Sequence, residues 1–433
     1  MRKILHNATY IDVLNGEVVK NKDIVIEKGR IVEITEADQA VDGTVYNVEN
    51  HLVCPGFINA HTHLGMSYFR NLADDMDLDT WLNKAIWPLE AHLTGEDIYW
   101  GSLLSLIEAV RSGTTCFCDM YYEMDRVAEA ANAIGIRGVL TRGLTSFDNG
   151  QVKLEETMEL YEKFHNSSNG RLKVYPAPHA IYTCDEEYLK KTFELTKSMD
   201  NILHIHASET IKEVEDCKKE HNGRTPIDYL YDIGLDSIHT IAAHCVHITD
   251  QEIDRVHKDK FFPVYNPSSN LKLASGFAPI DKMLKKNLTI ALGTDGDSSN
   301  NNQNMLEEIH IASIVNKAVN KDPESVKAID VLRMATINGA KALGLDQELG
   351  SIEVGKKADL IFFHLESPNF VPRNNLISAI CYSASSEDIT DVMVDGDFIM
   401  EDRILSNIDI NEAMEKVEKG LEALIKRKDK AEN

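Results

Sequence analysis

From Leu52 onward, short apolar runs alternate with stretches whose apolar residues recur at helical spacing. The runs are Leu52–His61, Thr114–Met120, Ile136–Gly143, Leu172–His179, Asn201–Glu209, His239–Val246, Phe261–Asn266 and Leu288–Asp295. They are near-continuous rather than alternating, as expected of parallel strands buried on both faces. Between them, Asp97–Arg111, Met124–Ala133, Lys153–Phe164, Glu186–Met199 and Gln251–His257 read as helices. Eight such runs with helical connections predict an α/β fold built on a (β/α)8 TIM-type barrel. A doubly wound sheet is the alternative, but no GxGxxG opens a helix.

The ends of the chain follow a different pattern. Lys3–His6, Thr9–Val13, Asp23–Glu27, Arg30–Ile34 and Thr44–Val48 read as short strands, with turns at Asn15-Gly16 and Lys28-Gly29. After a helical stretch at Asp330–Leu343, β-signals return at Ala358–His364, Asp391–Val394 and Phe398–Met400. These segments predict a small β-sandwich-like domain made by both termini, from residues 1–51 and 346–433, around a barrel at 52–345. Asn411–Lys430 reads as an amphipathic helix whose charge run Lys426–Lys430 is a solvated end.

Composition narrows the function. A formal net charge of −25 disfavours nucleic acid and anionic membrane as partners. No signal peptide or membrane span is evident, and the odd count of seven scattered cysteines, with no CxxC, suits a reduced, cytoplasmic protein. Cys116 and Cys118 are expected to fill a core. Association into a homo-oligomer is left open by the sequence.

The candidate chemistry lies at the ends of the apolar runs. His61 and His63 stand two apart, so an extended strand aims both imidazoles the same way. Other runs end in His179, in His206 followed by Glu209, in His244, and in Asp295. One buried histidine is ordinarily just hydrogen-bonded, but polar groups at five strand ends point to a metal site, because barrel chemistry sits at C-terminal strand ends. His61, His63, His206 and Asp295 supply three imidazoles and a carboxylate, with water in the remaining position, which suits one divalent ion, Zn²⁺ or else Fe²⁺. Such an ion lowers the pKa of its water, and Glu209 is the natural proton shuttle. His244 is placed to contact that water or the substrate. His204, deeper in its strand, is expected to be core, and His247 to lie in a loop.

These residues resemble the amidohydrolase superfamily. The resemblance rests on Pro55-Gly56-Phe57-Ile58-Asn59-Ala60-His61-Thr62-His63, the His206…Glu209 pair, Ala242-Ala243-His244-Cys245-Val246-His247 and Gly293-Thr294-Asp295-Gly296. Strand four ends in Ala177-Pro178-His179 without the lysine that bridges two metals in other branches, which implies a single metal. Arg70-Asn71-Leu72-Ala73-Asp74-Asp75, Trp87-Pro88-Leu89-Glu90 and Asn266–Gly276 are similar to the 5′-methylthioadenosine/S-adenosylhomocysteine deaminases. That resemblance implies hydrolytic deamination at C6 of an adenine nucleoside, giving an inosine-type product and ammonia, with Glu209, His244 and Asp295 moving protons. The nucleoside candidates are S-adenosylhomocysteine, 5′-methylthioadenosine, adenosine and 5′-deoxyadenosine.

It further implies that Glu90 binds the ribose hydroxyls, His179 touches purine or sugar, and Arg142 reaches a homocysteine carboxylate. Glu90 as a surface helix residue and Arg142 in an ordinary ion pair remain the plain alternatives. Lys153 falls where a second tail-binding arginine is expected. Tyr265, Asp297 and Ser298 are polar departures expected to retune the pocket. The rival activity is another aminohydrolase of the superfamily, acting on guanine, a pyrimidine or a triazine.

Overall fold

The computed structural model describes residues 2–40, 42–76 and 78–432. Eight consecutive parallel strands form a ring: Phe57–His63, Thr114–Tyr121, Arg137–Leu144, a fourth in two pieces (Leu172–Val174 and Ala177–Pro178), Leu203–Ala207, Thr240–His244, Phe261–Tyr265, and an eighth in two pieces (Ala291–Leu292 and Asp295–Gly296). Parallel ladders join strands one to four and five to eight. Strand eight returns to strand one through Asp295↔Thr62 and Gly296↔His63. The N–H groups of His204 and His206 donate to the carbonyls of Pro176 (3.1 Å) and His179 (3.0 Å), tying strand five to strand four. The fold is thus the expected barrel. Ile58, Cys116, Cys118, Val139, Ile241 and Val264 fill its interior beneath the strand ends, so both cysteines are core residues.

One expected strand is two. The run read as Leu52–His61 breaks at Gly56 into His51–Pro55 and Phe57–His63. His51–Pro55 pairs antiparallel with Leu360–His364 and parallel with Arg2–Asp12 in a nine-stranded sheet that unites both ends of the chain. Gly56 is where the chain passes from that sheet into the barrel: a Cβ there would lie 2.1 Å from the Thr115 hydroxyl oxygen. An uninterrupted apolar run hides this crossing, because the chain is buried throughout from Leu52 to Thr62. Lys3–His6 and Thr9–Val13, read as two strands, form one bulged strand, Arg2–Asp12, with Asn7 at φ 57°. The sheet wraps around a core of its own, in which Leu5, Ile24, Val53, Leu360, Phe362 and Met393 come from both ends of the chain.

The N-terminal end of the barrel is fastened to this sheet by a buried ion cluster. Arg137 Nε and Nη2 donate to Asp359 (2.8 and 3.2 Å), and Nη2 also donates to Asp395 Oδ1 (2.7 Å), which accepts from Lys357 as well (2.9 Å). The final helix, Ile410–Glu432, lies against the helix Gly95–Arg111, which a Thr94–Asp97 capping box begins. Arg427 pairs with Asp97 and donates through Nε to the His92 carbonyl (2.9 Å). The charge run expected to be wholly solvated therefore contains a docking residue.

Candidate active site

At the C-terminal mouth of the barrel, strand geometry brings the histidines together. His61 Nε2 and His63 Nε2 lie 3.4 and 3.2 Å from Asp295 Oδ1, and His206 Nε2 lies 3.3 Å from His63 Nε2. The outer nitrogens are all occupied. His63 Nδ1 meets the Met120 carbonyl (2.5 Å), His206 Nδ1 the His179 carbonyl (2.8 Å), and His61 Nδ1 meets His204 Nε2 (2.9 Å). Bonds of this kind fix each ring so that Nε2 points inward. His204 is buried core, as expected, but it also orients His61, and its own Nδ1 lies 3.3 Å from the Thr141 hydroxyl.

This arrangement fits a divalent cation. His61 Nε2 is buried and has no hydrogen-bond partner. His61, His63 and His206 form one compact ligand-type group, and His61, His244 and Asp295 an overlapping one, with ligand atoms within 4.8 Å of one another in each. Burial holds His61 down to about 3 and His206 well below its usual range, which keeps both neutral, the ligating form. Burial works to raise Asp295, yet the adjacent His61 and His63 imidazoles outweigh it and keep the carboxylate ionised. Asp295 Oδ2 accepts from the hydroxyls of Ser269 (2.6 Å) and Ser299 (3.0 Å), while Oδ1 accepts from the Gly296 N–H (2.9 Å) and faces the centre with its other lone pair.

Beside this centre stands Glu209. Burial foremost, then the charge of Asp295, pushes its carboxyl up to about 8. The Ser275 hydroxyl donates to its Oε1 (3.2 Å), and His244 Nε2 lies 3.7 Å from its Oε2. Asn270 Nδ2 donates to His244 Nδ1 (2.9 Å), which places the His244 proton on Nε2, facing the cleft. A group poised near neutrality can both take and give a proton.

A cleft lies directly above this centre. Its far wall is apolar, with Leu78, Trp81, Leu82 and Trp87 on a segment that contains a π-helical turn at Trp81–Ile86. Glu90 is buried and faces the cleft, accepting from the Tyr121 hydroxyl (2.7 Å) and the Tyr122 hydroxyl (3.4 Å). His179 also lines it, with Nδ1 on the Thr183 hydroxyl (2.9 Å).

Other expected residues turn away. Arg142 does not line this cleft: its Nε donates to Glu156 (2.9 Å), its guanidinium lies over the Tyr122 ring, and it borders an adjoining pocket. Lys153 donates to the Thr145 hydroxyl (2.5 Å) and the Phe147 carbonyl (2.8 Å). Asp297, expected to add polarity to the pocket, instead accepts from Ser105 (2.6 Å) and Gln303 (3.3 Å) and pairs with Arg70 (3.2 Å). Tyr265 is buried outside the cleft. Ser298 reaches the Met66 sulfur (3.1 Å), and His247, beyond its strand, meets the Ser275 carbonyl (2.8 Å).

Several participants carried no role in the sequence reading. Tyr121 and Tyr122 hold Glu90. Ser269 and Ser299 hold Asp295, and Asn270 holds His244. Asp119 accepts from the Leu64 N–H (2.7 Å) while its Oδ2 is buried without a partner. Burial raises the Asp119 carboxyl to about 7.

Comparison with known proteins agrees with this geometry. A profile of the amidohydrolase family matches residues 52–399. The 5-methylthioadenosine/S-adenosylhomocysteine deaminase of Thermoanaerobacter pseudethanolicus is 51% identical, over 99% of this chain and all of that protein. Its counterpart from Caldanaerobacter subterraneus subsp. tengcongensis is 48% identical, over 98% of this chain and 99% of that one. An adenosine deaminase from Xanthomonas campestris, with zinc bound, superposes with a TM-score of 0.94 at 29% identity, covering 98% of each chain.

Proposed function

We propose that this chain, which belongs to the amidohydrolase family and within it to the 5-methylthioadenosine/S-adenosylhomocysteine deaminases, removes ammonia hydrolytically from C6 of phosphate-free adenine nucleosides. The observation that carries the reading is one cleft holding both a three-histidine, one-aspartate centre with an adjacent Glu209 and, across from it, the buried Glu90.

His61, His63, His206 and Asp295 would hold one divalent cation, with zinc the favoured identity. A cation there supplies Lewis acidity and lowers the pKa of water towards neutrality. The protein's own residues then divide the remaining work. Glu209 takes the water proton on Oε2 and passes it to N1 of the adenine, which makes C6 electrophilic. His244, with its proton on Nε2, donates to the oxygen that arrives at C6. Asp295 Oδ1 stays ionised beside that oxygen, since its other oxygen is held by two serines. The proton remaining on that oxygen passes through Asp295 to the exocyclic nitrogen, the bond from C6 to that nitrogen breaks, and ammonia leaves as the C6 carbonyl forms with N1 still protonated.

Glu90 retains lone pairs beyond those used by Tyr121 and Tyr122, so it can accept from vicinal ribose hydroxyls. A carboxylate there repels a phosphate, which favours nucleosides over nucleotides. Arg142 and Lys153 both have partners, whereas Leu78, Trp81, Leu82 and Trp87 are apolar. The finer reading is therefore a preference for small uncharged 5′ groups, as in 5′-methylthioadenosine, over the zwitterionic tail of S-adenosylhomocysteine. All seven cysteines are buried and free, which supports a reducing, cytoplasmic setting.

The test is ammonia release by zinc-loaded protein from S-adenosylhomocysteine, 5′-methylthioadenosine, adenosine, 5′-deoxyadenosine, AMP, guanine and an aminotriazine. Turnover confined to the phosphate-free adenine nucleosides is expected. Turnover of guanine or the triazine alone, or of none, overturns the proposal.

A further inference from the structure

The helix Ile211–Glu220 begins with Thr210 as its N-cap, and the hydroxyl of Thr210 accepts from the Glu213 N–H (3.1 Å). In a capping box the glutamate at this position would reach back to the N-cap's own N–H. The helices starting after Thr94 and Thr249 follow that rule, with Asp97 and Glu252 bonded to the N-cap N–H (2.7 and 2.8 Å). Glu213 does not. Its Oε2 accepts from the Glu209 N–H (2.7 Å) and its Oε1 from the Ser208 N–H (3.0 Å). The carboxylate thus bridges two consecutive amides immediately before the N-cap, in a turn where Ser208 sits at φ 53°. Glu213 is itself buried and is absent from the cleft lining.

We infer that Glu213 is a positioning residue: its carboxylate fixes the left-handed turn after strand five and thereby sets where the Glu209 carboxyl stands over the centre. The left-handed conformation at Ser208 costs energy for a residue with a side chain. Two backbone N–H groups held by one carboxyl offset that cost. They also stop the Ser208–Glu209 peptides from rotating, which would carry Glu209 away from Ser275 and His244. Metal retention does not depend on this clamp, since His206 is held independently through its Nδ1 on the His179 carbonyl.

This inference rests on the shuttle role proposed above, and the experiment keeps the two separate. Glu213→Gln and Glu213→Ala are made in the wild-type and in the Glu209→Gln background, as zinc-loaded full-length chains. A glutamine keeps one acceptor but turns an NH₂ against an N–H. In the wild-type background kcat is expected to fall about 10²-fold, the scale of a misplaced catalytic group, with KM and zinc content unchanged. In the Glu209→Gln background the second substitution is expected to cost nothing further in kcat. Independently of turnover, hydrogen exchange in the peptide covering Ser208 and Glu209 is expected to accelerate in Glu213→Ala. An undiminished kcat in Glu213→Gln, an equal loss in both backgrounds, zinc loss, or unchanged exchange would each overturn the inference. Failure of the unmodified protein to deaminate any adenine nucleoside overturns the proposed function instead, and the exchange result still judges the clamp.

Discussion

Two buried clusters of charged side chains occupy opposite ends of the same barrel, and they differ in how they are satisfied. At the N-terminal end, Arg137 is matched by Asp359 and Asp395, and the Asp395 N–H closes the set on Asp359 Oδ1 (2.8 Å). Among the described residues, no side-chain atom of that cluster is buried without a partner. At the C-terminal end, His61 Nε2, Asp119 Oδ2, the Ser208 hydroxyl, and side-chain atoms of Asn266, Asn270 and Asn300 are all buried and unpartnered. Such atoms are rare in folded proteins and each needs a reason. A closed cluster holds two parts of one chain together; an open one keeps its valences for something that arrives from outside.

The contrast can be broken from either end. The largest effect is expected at the open end: dialysis against a chelator should abolish turnover, and zinc should restore it. Thermal scans should also show a melting temperature that rises with free zinc, because a ligand of the folded state stabilises it. Unchanged activity after the metal content has fallen to zero would refute the role of the centre. Next, Glu209→Gln should lower kcat by roughly 10²–10⁴-fold, the usual worth of a positioned acid–base group, with zinc stoichiometry intact. A fully active variant would remove Glu209 from the mechanism.

At the closed end, Arg137→Met leaves Asp359 buried without its cation, while Asp395 keeps only Lys357. The expected loss of stability is about 3–5 kcal/mol, typical of breaking one partner of a buried pair, read from urea midpoints. Loss of turnover without loss of stability would contradict a purely cohesive role.

A smaller effect concerns Glu308, which accepts from the Ser268 hydroxyl and N–H and from Asn300 Nδ2 (2.9 Å). Burial above all raises its carboxyl to about 8, against about 4.3 for an exposed glutamate. Between those values the folded chain binds the proton more tightly than the unfolded chain. Its contribution is therefore complete below the lower value and is lost as pH rises through the upper one. Glu308→Gln should flatten the fall in urea midpoint between pH 5.5 and 8, and parallel curves would rule this out. The smallest change expected is in selectivity: Glu156→Gln frees Arg142 and should move the ratio of kcat/KM for S-adenosylhomocysteine over 5′-methylthioadenosine up by a few-fold, on the scale of one exposed ion pair. An unchanged ratio would show that Arg142 does not reach the substrate.

The comparison also explains what the sequence could disclose. The barrel was legible because parallel strands buried on both faces give unbroken apolar runs. His61 and His63 were legible because alternation governs an extended strand. The roles of Arg142, Asp297 and Glu213 were not, because direction is lost where strands end. Ser208, His244 and Asp295 all have positive φ (53°, 73° and 64°). Each such residue resets the direction of the chain, so a count along the sequence no longer says where Asp297 points. His204 illustrates the converse. It shares its strand face with His206, as period two requires, but sits one layer lower, where it can orient a ligand rather than be one. The spacing Thr210-x-x-Glu213 is that of a helix start, and nothing in it points to the pair of amides that the glutamate captures.

Gly56 has a consequence for biosynthesis. The strand His51–Pro55 that precedes it is made early, whereas its antiparallel neighbour Leu360–His364 is made late. At ~5–20 residues per second of synthesis, the delay is roughly 15–60 s. Throughout that interval the nascent chain carries a half-built sheet with an open edge, the kind of surface that recruits foreign strands. The barrel grows outward from Phe57 while its foundation is unfinished, and Asp359, the anchor for Arg137, emerges immediately before the strand that closes the edge. Attachment of the barrel to the sheet therefore begins only when residues 359–364 leave the ribosome, and the sheet is finished by the strands at 389–405 that follow.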